Sequence, residues 1–323
     1  MTPPVIKPLA QSAGALSVTP APHWRLGMGV KNLSLTSLAA LAPAAVMAVM
    51  TYGIDAARIM ALAGAVAVLV EALCLRLMAR DVDVDNFSAL YAGVLFAFLL
   101  PAGAPWWLVA AGAAMTVALG RAVFGGYGVN PLCAPLVAWA MCRVSWPAFM
   151  DIDMTMPMSV LNEPLAQLKY FGLDAVQYQY NLTDFLFGNA LGALGASQVL
   201  ALAIGGAFLL WRGVIRWHIP AAFIVGVMAM AQVFHMVHPD MAAGPLFHVL
   251  TGSVVFGAFF LATDHASSPA GRVPQLLYGF IGGALVMVIR EYGVYPDGVP
   301  FAILLANLLS PLLDRVRPKP FGG

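Results

Sequence analysis

The sequence predicts an all-α integral membrane protein: about ten transmembrane helices in a five-plus-five inverted repeat, with several helices short or broken. Three observations predict it. Of the 323 residues, 61% are hydrophobic and only 10% charged, where soluble domains carry about a quarter charged. The apolar residues fall into ten runs. Two polar turns also echo one another, Arg121-Ala122-Val123-Phe124-Gly125-Gly126-Tyr127-Gly128-Val129-Asn130-Pro131 and Arg290-Glu291-Tyr292-Gly293-Val294-Tyr295-Pro296-Asp297-Gly298.

In chain order, residues 1–31 are rich in proline and alanine, with no apolar core of signal-peptide length, and read as a retained flexible tail. A single membrane domain spans 32–317. Its first half holds runs from Leu33 to Tyr52, Ala56 to Met78, Phe87 to Leu100, Trp106 to Leu119 and Val129 to Phe149. A long connection over 144–198 follows. The second half holds Val199 to Trp211, Trp217 to Val237, Leu246 to Thr263, Val273 to Ile289 and Val299 to Leu313, and 318–323 forms a second tail. The third, fourth, sixth and tenth runs fall short of the roughly 20 residues of a full crossing, which suggests helices helped across by polar or broken ends.

Placing every basic residue on alternating sides puts Lys7, Arg25, Lys31, Arg76, Arg80, Arg121, Arg212, Arg216, Arg272, Arg315, Arg317 and Lys319 on one side. Arg58, Arg143, Lys169 and Arg290 fall on the other, which accounts for all 16. The excess of positive charge marks the cytoplasmic side and puts both termini there. Five spans per half invert the second copy, so the Arg121 turn lies inside and the Arg290 turn outside. Inverted repeats place sites where corresponding helices are short or broken, here Phe124 to Pro135 and Tyr292 to Pro300.

Net charge is +1 and no basic run is present, which excludes nucleic acid as a partner. Cys74, Cys133 and Cys142 lie in apolar runs without Cys-x-x-Cys spacing and read as small apolar residues. The architecture by itself suits either a small-solute channel or transporter, or a membrane subunit that holds a cofactor between its halves.

Several segments narrow the choice. Phe256-Gly257-Ala258-Phe259-Phe260-Leu261-Ala262-Thr263-Asp264, then Ile289-Arg290, then Tyr295-Pro296-Asp297-Gly298-Val299-Pro300-Phe301-Ala302-Ile303-Leu304-Leu305-Ala306-Asn307 resemble the D subunit of the Rnf electron-transport complex. The glycine-rich Arg121 to Pro135 turn and Ile215-Arg216-Trp217-His218-Ile219-Pro220 are similar to the same family, over about Asn32 to Arg317. The resemblance implies a translocase subunit in a bacterial inner membrane, not catalytic alone. Its complex transfers electrons between ferredoxin and NAD, coupled to Na+ or H+ translocation, and its partners carry flavins and iron-sulfur clusters. The related B subunit of the sodium-pumping NADH:quinone reductase is an alternative, as is a stand-alone channel. No Gly-x-Gly-x-x-Gly loop after a strand suggests NADH binding here.

The resemblance also implies FMN attached by a phosphoester to the threonine of a Ser-x-Ala-Thr-Pro-Leu motif. The matching segment is Val160-Leu161-Asn162-Glu163-Pro164-Leu165, with Glu163 at the threonine's position. A carboxylate forms no phosphoester, and its charge repels a phosphate. The expectation is therefore FMN held noncovalently or absent, with riboflavin as a possible second flavin. Candidate flavin contacts are Asn162, Lys169, Asn189, Asp264 and Asp297, although for both aspartates helix capping is the default.

Glu71, an acid in an apolar run, is the candidate for an ion path. His235, His238 and Asp240 cluster without completing a metal site. Gly188-Asn189-Ala190-Leu191-Gly192-Ala193-Leu194-Gly195 follows no predicted strand and reads as a re-entry into the sixth helix.

Overall fold

The computed structural model describes residues 29–80, 84–156, 163–177, 180–237 and 243–316. Among them every regular element is helical. The first half comprises α1 (Val30–Tyr52), α2 (Ile54–Leu77), α3 (Ser88–Phe98), α4 (Trp106–Ala118) and α5 (Ala134–Ser145). Short helices α6 (Ile152–Thr155), α7 (Pro164–Phe171), α8 (Leu173–Gln177) and α9 (Leu182–Phe187) build the connection. The second half comprises α10 (Val199–Trp211), α11 (His218–Val237), α12 (Pro245–Leu250), α13 (Val254–Phe256), α14 (Arg272–Tyr292) and α15 (Val299–Leu313). After α13 the chain continues as a π turn over Gly257–Leu261.

Helices stand at all ten predicted positions, and five regions are long and apolar enough to cross a membrane: Val30–Tyr52, Ile54–Leu77, Trp106–Phe124, His218–Val237 and Arg272–Tyr292. The protein is a multi-pass membrane protein. Two expectations need correction. The eighth span, read as continuous from Leu246 to Thr263, breaks at Thr251, Gly252 and Ser253. The fifth is shorter than Val129 to Phe149. It starts after Pro131 and stops at Ser145, because Trp146 precedes Pro147 and leaves helical backbone (φ −133°, ψ 62°).

Packing repeats between the halves. Helix α2 lies along α3 and α4 as α11 lies along α12 and α14, and α4 meets α5 as α14 meets α15. Across the halves, α1 packs on α10 and α5 on α15. Small residues allow the closest crossings. A Cβ at Gly283 would collide with the Phe223 carbonyl, and one at Gly226 with that of Phe280, so α11 and α14 meet backbone to backbone.

The alternating helices define two ends of the bundle, one bearing Val30 and Leu313 and one bearing the connection. Asp264 and Asn130 lie at the former, Glu163 and Asp297 at the latter.

Candidate functional site

A helix broken inside an apolar bundle exposes backbone groups that water cannot reach, and each must find a partner. At the connection end Arg290 and Asp297 supply them. Arg290 Nη1 donates to the His248 carbonyl at 2.7 Å and Nη2 to that of Thr251 at 2.9 Å, which satisfies the end of α12. Asp297 Oδ2 accepts from the backbone N–H of Ser253 at 2.9 Å and from its hydroxyl, which satisfies the start of α13. Its Oδ1 accepts from Val299 N–H at 3.3 Å, capping α15, and faces Arg290 Nη2 at 3.4 Å. Gly252 between them has φ +68°, and a Cβ there would meet Arg290 Nη2 and Leu165 Cδ1 at 2.7 Å. Glycine alone suits that position.

The first half holds a simpler counterpart. Arg121 Nη1 donates to the Ser88 carbonyl at 3.0 Å, so the echoed arginines each grip the third helix of their own half. The glycines of the first turn, Gly125, Gly126 and Gly128, have φ of 111°, 115° and 87°.

Glu163 precedes α7 and lines two small chambers beside this clasp. One, of about 50 Å³, lies among Trp139, Arg143, Ser253, Tyr295 and Asp297. The other, of about 20 Å³, lies among Leu165, Gly192, Ser197, Thr251 and Gly252. The Glu163 backbone N–H donates to Asp153 Oδ1 at 3.4 Å. Burial pushes the Glu163 carboxyl up to about 8, helped by the negative charges of Asp297 and Asp153, while Arg143 opposes the shift. Arg143 itself donates to the Met150 carbonyl and lies 5.2 Å from the Tyr295 ring centre.

The described candidate flavin contacts do not form one site. Among the described candidates, only Glu163 and Asp297 share a chamber. Asp264 belongs to the other end, a distance of about 30 Å along the 21-residue α14 at 1.5 Å per residue. There its Oδ2 accepts from Asn130 Nδ2 at 3.3 Å and from Ser267 Oγ at 3.1 Å. Lys169 uses its ammonium on the Arg290 and Gly293 carbonyls, closing the end of α14, and burial lowers its pKa. Asn189 is exposed, with its backbone N–H on the Asp184 carbonyl. Asn162, His238 and Asp240 lie outside the described residues. Glu71 is partly buried in the last third of α2, towards the Val30 end.

These side chains do not fit a phosphoester-linked flavin. Glu163 has no hydroxyl to esterify, and the two chambers it lines fall far below the ~300 Å³ lower bound of ordinary ligand pockets; the hollow of about 390 Å³ among Leu165, Lys169, Tyr170, His248 and Arg290 does not include Glu163. The nearest described hydroxyl in α6, that of Thr155, donates to the Asp151 and Ile152 carbonyls.

The sequence reading missed Arg290 as a clasp and Ser253 as its counterpart. The signal was present: Thr251-Gly252-Ser253 is the small polar step in an otherwise apolar run.

A family model described as the NQR2, RnfD, RnfE family matches residues 17–322. The chain is 34% identical to the D subunit of the Na(+)-translocating ferredoxin:NAD(+) oxidoreductase complex of Acetobacterium woodii, over 95% of each chain. It is 33% identical to the D subunit of the ion-translocating oxidoreductase complex of Halorhodospira halophila, over 93% of this chain and 94% of the relative. The D subunit of the same name from Salmonella typhi is 32% identical over 81% and 85%.

Proposed function

The chain belongs to the NQR2, RnfD, RnfE family, and from that premise we propose that it is the D-type membrane subunit of a redox-driven ion pump. The pump transfers electrons between ferredoxin and NAD and moves Na+ or H+ across the membrane. The observation that carries this reading is the match to a relative of that printed activity along 95% of both chains. The subunit acts within a complex, and its partners are the other Rnf subunits. Affinity purification of the tagged full chain from mild detergent tests this. Flavin- and iron-sulfur-containing subunits are expected to accompany it, and a chain that runs alone defeats the proposal.

The 12-to-4 division of basic residues supports placement in the inner membrane with both termini cytoplasmic. A C-terminal fusion to alkaline phosphatase should stay inactive and one to a fluorescent protein should glow; the reverse pattern overturns the orientation.

Within this pump, the chain carries no flavin through a phosphoester at position 163. Any FMN or riboflavin is held by contacts alone or is absent. The chemistry of Glu163 supports that reading, since a carboxyl at the threonine's position cannot take the link. A flavin fluorescence band on the denatured subunit in a gel would overturn it.

A further inference from the structure

Glu163 stands at the wall shared by two chambers of about 50 and 20 Å³. Spaces of that size hold one or a few waters, not an aromatic ligand. Whatever the carboxyl exchanges is therefore the size of water or a proton.

The titratable groups around it come from five parts of the chain. Asp297 acts on it from before α15, Asp151 and Asp153 from the start of α6, Arg143 from α5, Arg290 from α14 and the Tyr52 hydroxyl from α1. Tyr295 closes the first chamber. The three aspartates favour the protonated carboxyl, whereas the two arginines favour the ionised one. Arg290 is 6% exposed, and its Nη2 reaches Asp297 and abuts Gly252 in the second chamber's wall. Its Nε–H finds no hydrogen-bond partner among the described residues. The guanidinium therefore acts on the carboxyl as a charge set behind the chamber walls, held there through Asp297 and against Gly252.

We propose that Glu163 is a proton-binding site at the connection end of the protein, taking up and releasing a proton through water in the chamber it shares with Asp297. The step is –COO⁻ + H⁺ ⇌ –COOH, with no change of oxidation state. The site's existence does not depend on the electron-transfer reading, because the carboxyl titrates whether or not redox partners are attached.

The test is infrared spectroscopy of the full chain in lipid vesicles, following the protonated-carboxyl C=O band with pH. A band with a midpoint of about 8 is expected, absent from Glu163→Gln. Asp153→Asn should lower the midpoint and Arg143→Gln should raise it. Should Glu163→Gln fail to fold, Glu163→Asp serves instead and should keep a titrating band with a displaced midpoint. A band unchanged by both substitutions at 163, or a midpoint in the ordinary carboxylate range, overturns the proposal. So does a midpoint that moves when sodium replaces potassium at constant ionic strength, since the carboxyl would then be a metal-cation ligand.

Discussion

Arg290 and Asp297 meet at 3.4 Å across a gap in the eighth span, and between them they satisfy both loose ends of the helix broken there. The pair shows 4% and 18% side-chain exposure, so it is an ion pair with little access to water. Its role is to replace the helical hydrogen bonds missing at the His248 and Thr251 carbonyls and at the Ser253 N–H.

Removing one partner should therefore cost far more than a surface pair would. Arg290→Gln and Asp297→Asn are each expected to destabilise the protein by about 3–5 kcal/mol, the range for breaking a buried pair. Thermal unfolding in detergent reads this directly. Losses below about 1 kcal/mol would show that the broken helix is held by other contacts.

Stability should also depend on pH through Glu163. Its folded value of about 8 lies above the ordinary 4.5, so between those two points the native state holds a proton that the unfolded state has released. Stability from this group is full below about 4.5 and falls as pH rises through about 8. Glu163→Gln, neutral throughout, should flatten the profile across that window. A wild type whose unfolding midpoint rises over the same interval, with the variant flat, would reverse the assigned sign.

The crossing of α11 and α14 leaves no room for side chains at its glycines. Gly283→Leu drives atoms into the Phe223 carbonyl and is expected to cost about 1–3 kcal/mol or more. Gly244, where a Cβ would meet nothing within 4 Å, provides the comparison, and Gly244→Ala should stay within about 0.5 kcal/mol of wild type. Equal effects from both in the same thermal assay would discount backbone contact as the cause.

Lys169 fastens the connection to the end of α14 through the Arg290 and Gly293 carbonyls. Lys169→Met keeps the apolar stem and removes the donors, at an expected cost of about 1 kcal/mol. Hydrogen exchange should quicken in α7 and around Gly293 and leave α2 unchanged. Uniform quickening would point to global destabilisation instead.

The spans were legible where hydropathy and helix ends coincide. Val199–Trp211 and Val299–Leu313 begin and end where their apolar runs do. The break at Gly252 showed only as a small polar step, and the groups that hold it open, Arg290 and Asp297, lie far along the chain. A one-dimensional pattern reports spacing within a helix, not which remote carboxylate will meet its loose end. The same limit explains the scattered site residues. Glu163 and Asp297 line one chamber because α7 folds back against the second half, and Asp264, chemically alike, ends at the far side of α14. Arg290 read as a marker of orientation because its burial follows from tertiary packing, which charge counting does not see.

The Asp297 carboxylate starts two helices at once, α13 through Ser253 and α15 through Val299. Ser253 precedes it by 44 residues, so a ribosome delivers the broken segment well before the group that completes it. Until that carboxylate emerges, the open break has no acceptor for the Ser253 N–H, and the nascent segment can satisfy it by running on as continuous helix. The break in the eighth span is therefore a late feature of assembly, and a chain truncated before Asp297 would lack the carboxylate that holds it open.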